Sequence, residues 1–154
     1  THCGMHAMDT MRMENGFLHW GHDISPEENQ YQAGLDFAIS YKKNVDFLGK
    51  EALLKIKDKK IQKKMIMLTL KDKKPGDPLL LHDEPIYLDD RIIGRTTSGN
   101  YSFNFNKNLT FGYVNRDFNN LDTSKHKIYV EVGKVKYEAE YLPKVLNQNN
   151  YKTI

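Results

Sequence analysis

Two short clusters of histidine, cysteine and aspartate have types and spacings that could bind a metal ion. They are His2, Cys3 and His6, and then His19, His22 and Asp23. A tetrahedral zinc site needs three or four converging ligands, and neither cluster recurs elsewhere in the chain as a second ligand pair. The sequence therefore predicts no metal site. Cys3 has no recognisable base or orienting acid near it, so it is not predicted to be a catalytic nucleophile.

Charged residues in the first fifteen positions have spacings that favour a structural role. Asp9 and Arg12 are three residues apart, which is the separation of an ion pair on one face of a helix. Glu14 lies only two residues after Arg12, so a helix would direct it elsewhere and it needs a different partner. The Asp9–Arg12 pair is therefore predicted to stabilise the fold and not to take part in catalysis.

The run Thr96-Thr97-Ser98-Gly99 has a functional and a structural interpretation. Its hydroxyl groups could bind a ligand, but they could equally satisfy backbone groups where a strand bends. Glycine in a strand marks such a bend or the close approach of another backbone. We favour the structural role and predict that Gly99 occupies a position that excludes a side chain.

The first 60 residues are predicted to be mixed in structure. Methionines at spacings of three residues predict a helix over about 4–15 that ends at a glycine. Aromatic and alternating apolar residues predict extended chain at 17–20 and 35–41. A short helix is expected to begin at Asp46 or Gly49, with lysines at its C-terminal end.

The remainder of the chain is predicted to be almost entirely β. Short strands with alternating apolar residues are separated by turn sequences, and Gly133-Lys134 is predicted to be a two-residue hairpin loop. The predicted strands are 65–70, 79–82, 86–88, 91–97, 101–105, 109–114, 128–132 and 135–142. The fold class is therefore mainly β with a short N-terminal α/β portion, and the strand spacing favours a small antiparallel barrel or sandwich.

Composition narrows the classes of protein that this chain could be. The 154 residues include 23 basic and 20 acidic residues, and this small excess predicts no binding to nucleic acid. No apolar run reaches the roughly 20 residues that span a bilayer, so no membrane association is predicted. The single cysteine fits a reducing compartment, and cytoplasmic location is the default expectation.

Five ordered blocks resemble one known family. The sequences G-R-T-T-S-G-N-Y-S at 94–102 and L-T-F-G-Y-V at 109–114 are similar to the C-terminal signature of the glycine-cleavage T-protein (aminomethyltransferase) family. The segments 8–24, 33–37 and 46–53 resemble the blocks that precede that signature. Within the family, the chain looks closest to the folate-dependent C-terminal region of dimethylglycine and sarcosine dehydrogenases.

This resemblance implies a division of the chain and a cofactor. Residues 1–60 would be the C-terminal piece of the T-protein folate-binding region, and residues 61–154 would form the family's jelly-roll-like antiparallel β-barrel. The implied cofactor is tetrahydrofolate. FAD would bind only to an upstream domain, because this chain contains no G-x-G-x-x-G sequence for a dinucleotide.

The resemblance also implies aromatic contacts with folate. Phe17, Phe37 and Tyr151 lie where the family has aromatic residues, and a flat pterin ring would stack against such side chains. The alternative is that Phe17 and Phe37 belong to the core and that Tyr151 is part of a frayed terminus. Met8 stands where T-proteins have a folate-binding arginine, so that contact is not expected.

The implied function is that of a C-terminal fragment of a tetrahydrofolate-dependent aminomethyltransferase-type enzyme. The fragment would complete the folate site for one-carbon transfer from glycine, dimethylglycine or sarcosine. Its partners would be folate and a missing upstream T-domain or flavin domain, and we expect the chain by itself to be inactive. The alternative function is a non-catalytic interaction module whose barrel packs on a flavin or T-domain partner.

Overall fold

A computed structural model describes residues 2–43, 45–57, 59, 61–72, 74, 77–115 and 125–143. It contains two α-helices, one short 3-10 turn and six strands. These are α1 (Met5–Glu14), the 3-10 turn Asp36–Ala38, α2 (Lys50–Lys57), β1 (Lys63–Leu70), β2 (Pro85–Leu88), β3 (Arg91–Ser102), β4 (Lys107–Asn115), β5 (Ile128–Val132) and β6 (Val135–Leu142). No helix in these described ranges is long and apolar enough to cross a membrane.

The six strands form a closed antiparallel barrel in the order β1-β4-β3-β2-β5-β6. Alternate residues of each strand point inward and form one buried apolar cluster. Its members are Ile66, Leu68, Leu70, Leu80, Ile86, Ile93, Val114, Ile128, Val130, Val132 and Ala139. The predicted mainly β fold with a C-terminal barrel is therefore confirmed.

The turn between β5 and β6 shows how the sequence directs the strands of the barrel. Gly133 and Lys134 join β5 to β6, and they lie between Val132 and Val135, which are paired across the two strands. Both residues have positive φ angles, 59° and 67°. This is the predicted two-residue hairpin, with the backbone of a type I′ turn. In contrast, the strands predicted at 91–97 and 101–105 are one long strand, β3, which is irregular between Thr96 and Ser98 where it pairs with β4.

Helix α1 lies on the outside of the barrel, against β3 and β4. Met13 is its one buried apolar side chain, and it packs with Met67, Leu109 and Phe111 from the outer faces of β1 and β4. Glu14 accepts hydrogen bonds from Ser102 Oγ at 2.5 Å and Asn104 Nδ2 at 2.9 Å. The prediction that Glu14 needs a partner other than Arg12 is thus confirmed.

Three of the predicted extended segments are not strands. In the segment 17–20, only Trp20 makes a β-bridge, an isolated one with Ile24. The segment 35–41 contains the 3-10 turn. Residues 79–82 also lie outside the ladder, although the side chain of Leu80 enters the barrel core. Leu18 packs on the barrel surface and Leu80 packs inside the barrel without pairing their backbones, and an apolar pattern does not distinguish such segments from a strand.

Candidate functional site

A cavity of about 630 Å³ lies between the N-terminal segment and the outer surface of the barrel. We call it the aromatic cavity. Met67 and Phe111 form a buried part of its lining, and the half-buried Met65 and Leu142 pack against them. The lining from the N-terminal segment comes from two loops, one after α1 and one before the 3-10 turn, and includes Leu18, Ile24, Ala33 and Leu35.

The structure brings Phe17 and Phe37 to this one cavity, although they are twenty residues apart in sequence. Phe17 is 54% exposed and Phe37 is 82% exposed. The alternative that these two residues belong to the core is therefore wrong. Phe17 lies on the loop after α1 and Phe37 lies in the 3-10 turn, so neither is on a strand and the barrel does not enclose them. Tyr151, the third predicted contact, lies outside the described residues.

The loop that carries Phe17 begins where α1 ends. Asn15 and Gly16 donate backbone hydrogen bonds to the last carbonyl groups of the helix, and Gly16 adopts a φ of 75°. A residue without a Cβ adopts this left-handed conformation at little cost and reverses the chain there. Phe17 then donates its backbone N–H to the Arg12 carbonyl at 2.8 Å. Local sequence thus places Phe17 at the mouth of the cavity.

Arg12 forms a charged network beside the aromatic cavity. Its Nε donates to Asp9 Oδ1 at 2.8 Å, which confirms the predicted helical ion pair. Its Nη1 donates to Asp23 Oδ2 at 2.7 Å, and its Nη2 donates to Ser98 Oγ at 2.8 Å. The Asp23 side chain is fully buried, and Thr97 Oγ1 donates to its second oxygen at 2.6 Å. The network joins α1 to β3.

The hydroxyl groups of the 96–99 run are used by the protein itself. Thr96 is hydrogen bonded to Glu84, Thr97 donates to Asp23, and Ser98 accepts from Arg12. These hydroxyl groups therefore bond within the fold and mainly to side chains, whereas the structural interpretation expected them to satisfy backbone groups. Asp23, whose spacing from His19 and His22 was considered for a metal ligand and not favoured, forms an ion pair with Arg12.

A second, polar cleft of about 510 Å³ lies on the barrel surface beside Lys63 and Tyr113. Two ion pairs lie in it: Lys63 with Glu28 at 2.5 Å, and Arg95 with Asp83 at 3.1 Å. Within the described ranges, no group of three or more histidine, cysteine, aspartate or glutamate side chains is placed to hold a metal ion. The rings of His19 and His22 lie near this cleft and stack with centroids 4.7 Å apart.

Burial and neighbouring charges shift two pKa values in the polar cleft. Burial, followed by the negative charges of Glu28 and Asp23, raises the pKa of Tyr113 well above its ordinary value. Burial also acts to raise the pKa of Glu28, but hydrogen bonds from Lys63 and Ser25 outweigh it. The pKa of Glu28 is therefore lowered, and its carboxylate is charged at neutral pH.

Known proteins match both parts of the chain. Residues 63–147 match the family described as the glycine cleavage T-protein C-terminal barrel domain, and residues 1–43 match the GCVT N-terminal domain. The chain belongs to the glycine cleavage T-protein family. A solved aminomethyltransferase T of the glycine cleavage system from Bartonella henselae has the same fold, with a TM-score of 0.74 at 22% identity over 91% of this chain and 37% of that one.

Curated relatives of this family member are much longer proteins. The chain is 45% identical over 98 residues to a formaldehyde-forming 4-methylaminobutanoate oxidase of Paenarthrobacter nicotinovorans, which is 64% of this chain and 12% of the oxidase. It is 36% identical to human mitochondrial dimethylglycine dehydrogenase over 72% of this chain and 12% of the enzyme. It is 32% identical to an aminomethyltransferase of Listeria monocytogenes over 91% of this chain and 37% of the enzyme.

The barrel's contribution to the aromatic cavity was not predicted. The run Met65-Ile66-Met67-Leu68 carries the signal that could have revealed it, because its residues are apolar on both faces of β1. Ile66 and Leu68 fill the barrel, whereas Met65 and Met67 face the N-terminal segment. A strand that is apolar on both faces is covered on both sides, so this pattern indicates a covering element outside the barrel.

Proposed function

We propose that this chain is the C-terminal part of a tetrahydrofolate-dependent aminomethyltransferase-type enzyme and forms one side of its folate site. The observation that supports this most directly is the aromatic cavity, where Phe17 and Phe37 meet beside an apolar barrel surface. The one-carbon donor would be the methyl or methylene group of glycine, dimethylglycine or sarcosine. The chain's contribution would be to bind and orient the folate.

The chemistry of the cavity fits a folate. Its volume falls within the range of roughly 300–1,000 Å³ that small-molecule sites occupy, and its lining is mostly apolar. Exposed phenyl rings at Phe17 and Phe37 provide faces for a pterin or aminobenzoyl ring. Lys64 lines the same cavity, and its ammonium group would suit the glutamate carboxylates of the cofactor. Bound tetrahydrofolate would supply the nitrogen atoms that accept the one-carbon unit.

The same lining supports the expectation that the chain needs an upstream domain for turnover. A general acid or base must lie within hydrogen-bond distance of the reacting nitrogen. Among the described residues that line the aromatic cavity, none is an aspartate or a glutamate. The acid or base would therefore come from the missing T-domain, and the chain by itself would bind folate weakly and catalyse no transfer.

Titration calorimetry with tetrahydrofolate tests this function. The measurement is made on the chain alone and with an upstream T-domain supplied in trans, and binding is expected to tighten when both parts are present. Phe17→Ala and Phe37→Ala should each weaken binding by about 1–2 kcal/mol, a factor of about 5–30. Phe103→Ala is the matched control, because Phe103 is an exposed phenylalanine outside the cavity.

Two results would contradict the proposed function. Transfer of a one-carbon unit by the 154-residue chain without any other domain would show that it carries its own acid or base. Equal loss of affinity in the Phe17, Phe37 and Phe103 variants would show that the cavity is not where the folate lies. Tyr151→Ala is measured in the same series, because the family resemblance also assigns that residue to the site.

The alternative function, an interaction module, is supported by a different surface. Met5, Met8 and Met11 are exposed at three-residue spacings along α1, whereas Met13 packs on the barrel. An apolar row of this kind suits a protein partner. Since the chain spans only 12% of human dimethylglycine dehydrogenase and 37% of the Listeria monocytogenes enzyme, that partner would be an upstream domain. Association without folate binding would favour this function over the first.

A further inference from the structure

Arg12 connects the helix, the Phe17 loop and the barrel through one side chain. Its side chain is only 12% exposed, and the three guanidinium nitrogen atoms donate to four oxygen atoms. One of these is the carbonyl of Phe17, at 3.2 Å from Nη1. A planar guanidinium with fixed donor directions holds such partners at defined positions. Arg12 therefore sets where the chain runs immediately after α1.

Asp23 fixes the position of the other end of the loop that follows α1, residues 15–24. Its Oδ2 accepts hydrogen bonds from Arg12 and from the backbone N–H of His19, the latter at 2.9 Å. Its Oδ1 accepts from Thr97 on β3, and its backbone carbonyl accepts from Tyr113 Oη on β4 at 2.9 Å. The buried carboxylate thus closes the loop on itself and ties it to β3, and the backbone carbonyl of the same residue ties it to β4.

We propose that Arg12 and Asp23 are positioning residues that hold the Phe17 side of the aromatic cavity against the barrel, an inference that rests on the proposed function. The loop they tie, residues 15–24, contributes Phe17, Leu18 and Ile24 to the cavity. It forms no strand ladder beyond the single Trp20–Ile24 bridge among the described residues. Backbone hydrogen bonds shape the loop internally and Leu18 packs on the barrel, while the side-chain hydrogen bonds that tie the loop to the barrel converge on Arg12 and Asp23.

The network is separate from the contacts that merely anchor α1. The side chains of Glu14 and Ser102 join the same helix to the same strand, but neither residue lines the aromatic cavity. Loss of the Glu14–Ser102 bond should loosen α1 without moving Phe17. Loss of a bond to Asp23 should release the loop while Met13 keeps α1 in place. This difference separates a positioning role from a general structural one.

Thr97→Val tests the proposal with a small change. Valine keeps the shape of threonine but removes the hydroxyl that donates to Asp23. We expect affinity for tetrahydrofolate, measured with the upstream T-domain present, to fall by about tenfold, the scale of one hydrogen bond to a charged group. Thr97→Ser restores the hydroxyl and should restore the affinity. Ser102→Ala is the matched control on β3 and should leave the affinity unchanged.

Trp20 provides a measurement that does not need the ligand. It is the only tryptophan in the sequence, it lies on the tied loop, and it is 67% exposed. Its fluorescence anisotropy should fall in Thr97→Val and in Arg12→Lys, and remain at the native value in Ser102→Ala. If the native chain and all variants fail to bind tetrahydrofolate while the anisotropy changes as expected, the proposed function is wrong and the tie between Arg12, Asp23 and the loop stands.

Two outcomes would overturn the positioning role itself. Native anisotropy and affinity in Thr97→Val would show that the loop holds its position without Asp23. Equal losses in Thr97→Val and Ser102→Ala would show that both bonds act only through global stability. Thermal unfolding of each variant, followed by circular dichroism, shows whether it is folded at the temperature of the binding measurement.

Discussion

Gly99 on β3 lies directly against Leu80. A Cβ atom at Gly99 would be 2.4 Å from Leu80 Cγ and 2.8 Å from the Leu80 carbonyl oxygen. Leu80 fills the barrel interior although residues 79–82 are not a strand. The absence of a side chain at Gly99 therefore allows this irregular segment to pass close to β3 and insert Leu80 into the core.

Replacement of Gly99 by alanine should destabilise the barrel. The new methyl group would overlap backbone atoms of Leu80, which cannot rotate away as the end of a flexible side chain can. We expect the free energy of unfolding to fall by about 1–3 kcal/mol, the usual cost of overpacking a core. Denaturation in urea, followed by circular dichroism, measures this change. An unchanged midpoint would show that the Leu80 segment moves aside freely.

The sequence predicts that Gly99 excludes a side chain, but for a different reason from the one found. A strand bend in a hydroxyl-rich run suggests that glycine is needed for its backbone freedom. Gly99 does not adopt a left-handed φ angle; the constraint is the approach of Leu80, which is far away in sequence. Close approaches of this kind depend on the tertiary fold, so local residue patterns do not reveal them.

Helix α1 should depend on a single methionine for its packing. Met13 is 1% exposed and contacts Met67, Leu109 and Phe111, whereas Met11 on the same helix is 48% exposed. Met13→Ala should cost about 2–5 kcal/mol, because it leaves a cavity between the helix and the barrel. Met11→Ala removes the same side chain at the surface and should change stability by less than about 0.5 kcal/mol. Guanidinium denaturation of both variants makes the comparison, and equal losses would contradict this packing.

Strands were more predictable than the loops that form the site. Alternating apolar residues predict β5 and β6 closely, because one face of each strand is buried in the barrel and the other is not. The prediction of Phe17 and Phe37 as site residues rested on the family resemblance. Residue patterns alone do not show that two phenylalanines twenty residues apart line the same cavity. Their loops are positioned by long-range hydrogen bonds such as Arg12 to Ser98, which have no signature in local spacing.

Glu28 should stabilise the protein in a pH-dependent way. Its folded-state pKa is lower than the ordinary value of 4.5, because hydrogen bonds from Lys63 and Ser25 outweigh the effect of burial. The charged carboxylate therefore stabilises the fold above about pH 4.5, and this contribution is lost as the pH falls through the folded-state pKa. Glu28→Gln should lower the free energy of unfolding by about 1–2 kcal/mol at pH 7.

The difference between native protein and Glu28→Gln should shrink as the pH falls below 4.5, the ordinary pKa of the group. Thermal unfolding over a pH series measures it. Glu27→Gln is the control, because Glu27 is the exposed neighbour and loses the same charge. A difference that stays constant down to low pH would mean that Glu28 acts through its shape and not through its charge.

The exposed methionines of α1 should matter for a partner and not for the fold. Met5, Met8 and Met11 are exposed, whereas Met13 packs on the barrel, so a triple change to glutamine removes apolar surface and leaves the buried Met13 in place. We expect circular dichroism and the unfolding midpoint to stay near native values. Association with an upstream T-domain, measured by analytical ultracentrifugation, should weaken by at least tenfold, because exposed apolar area is what such a contact would bury.

The control is a double variant, Ile92→Thr with Val135→Thr, which alters exposed apolar residues on the barrel and should leave association unchanged. Equal weakening in both sets of variants would point to non-specific adhesion, and native association in the methionine variant would place the partner on another surface.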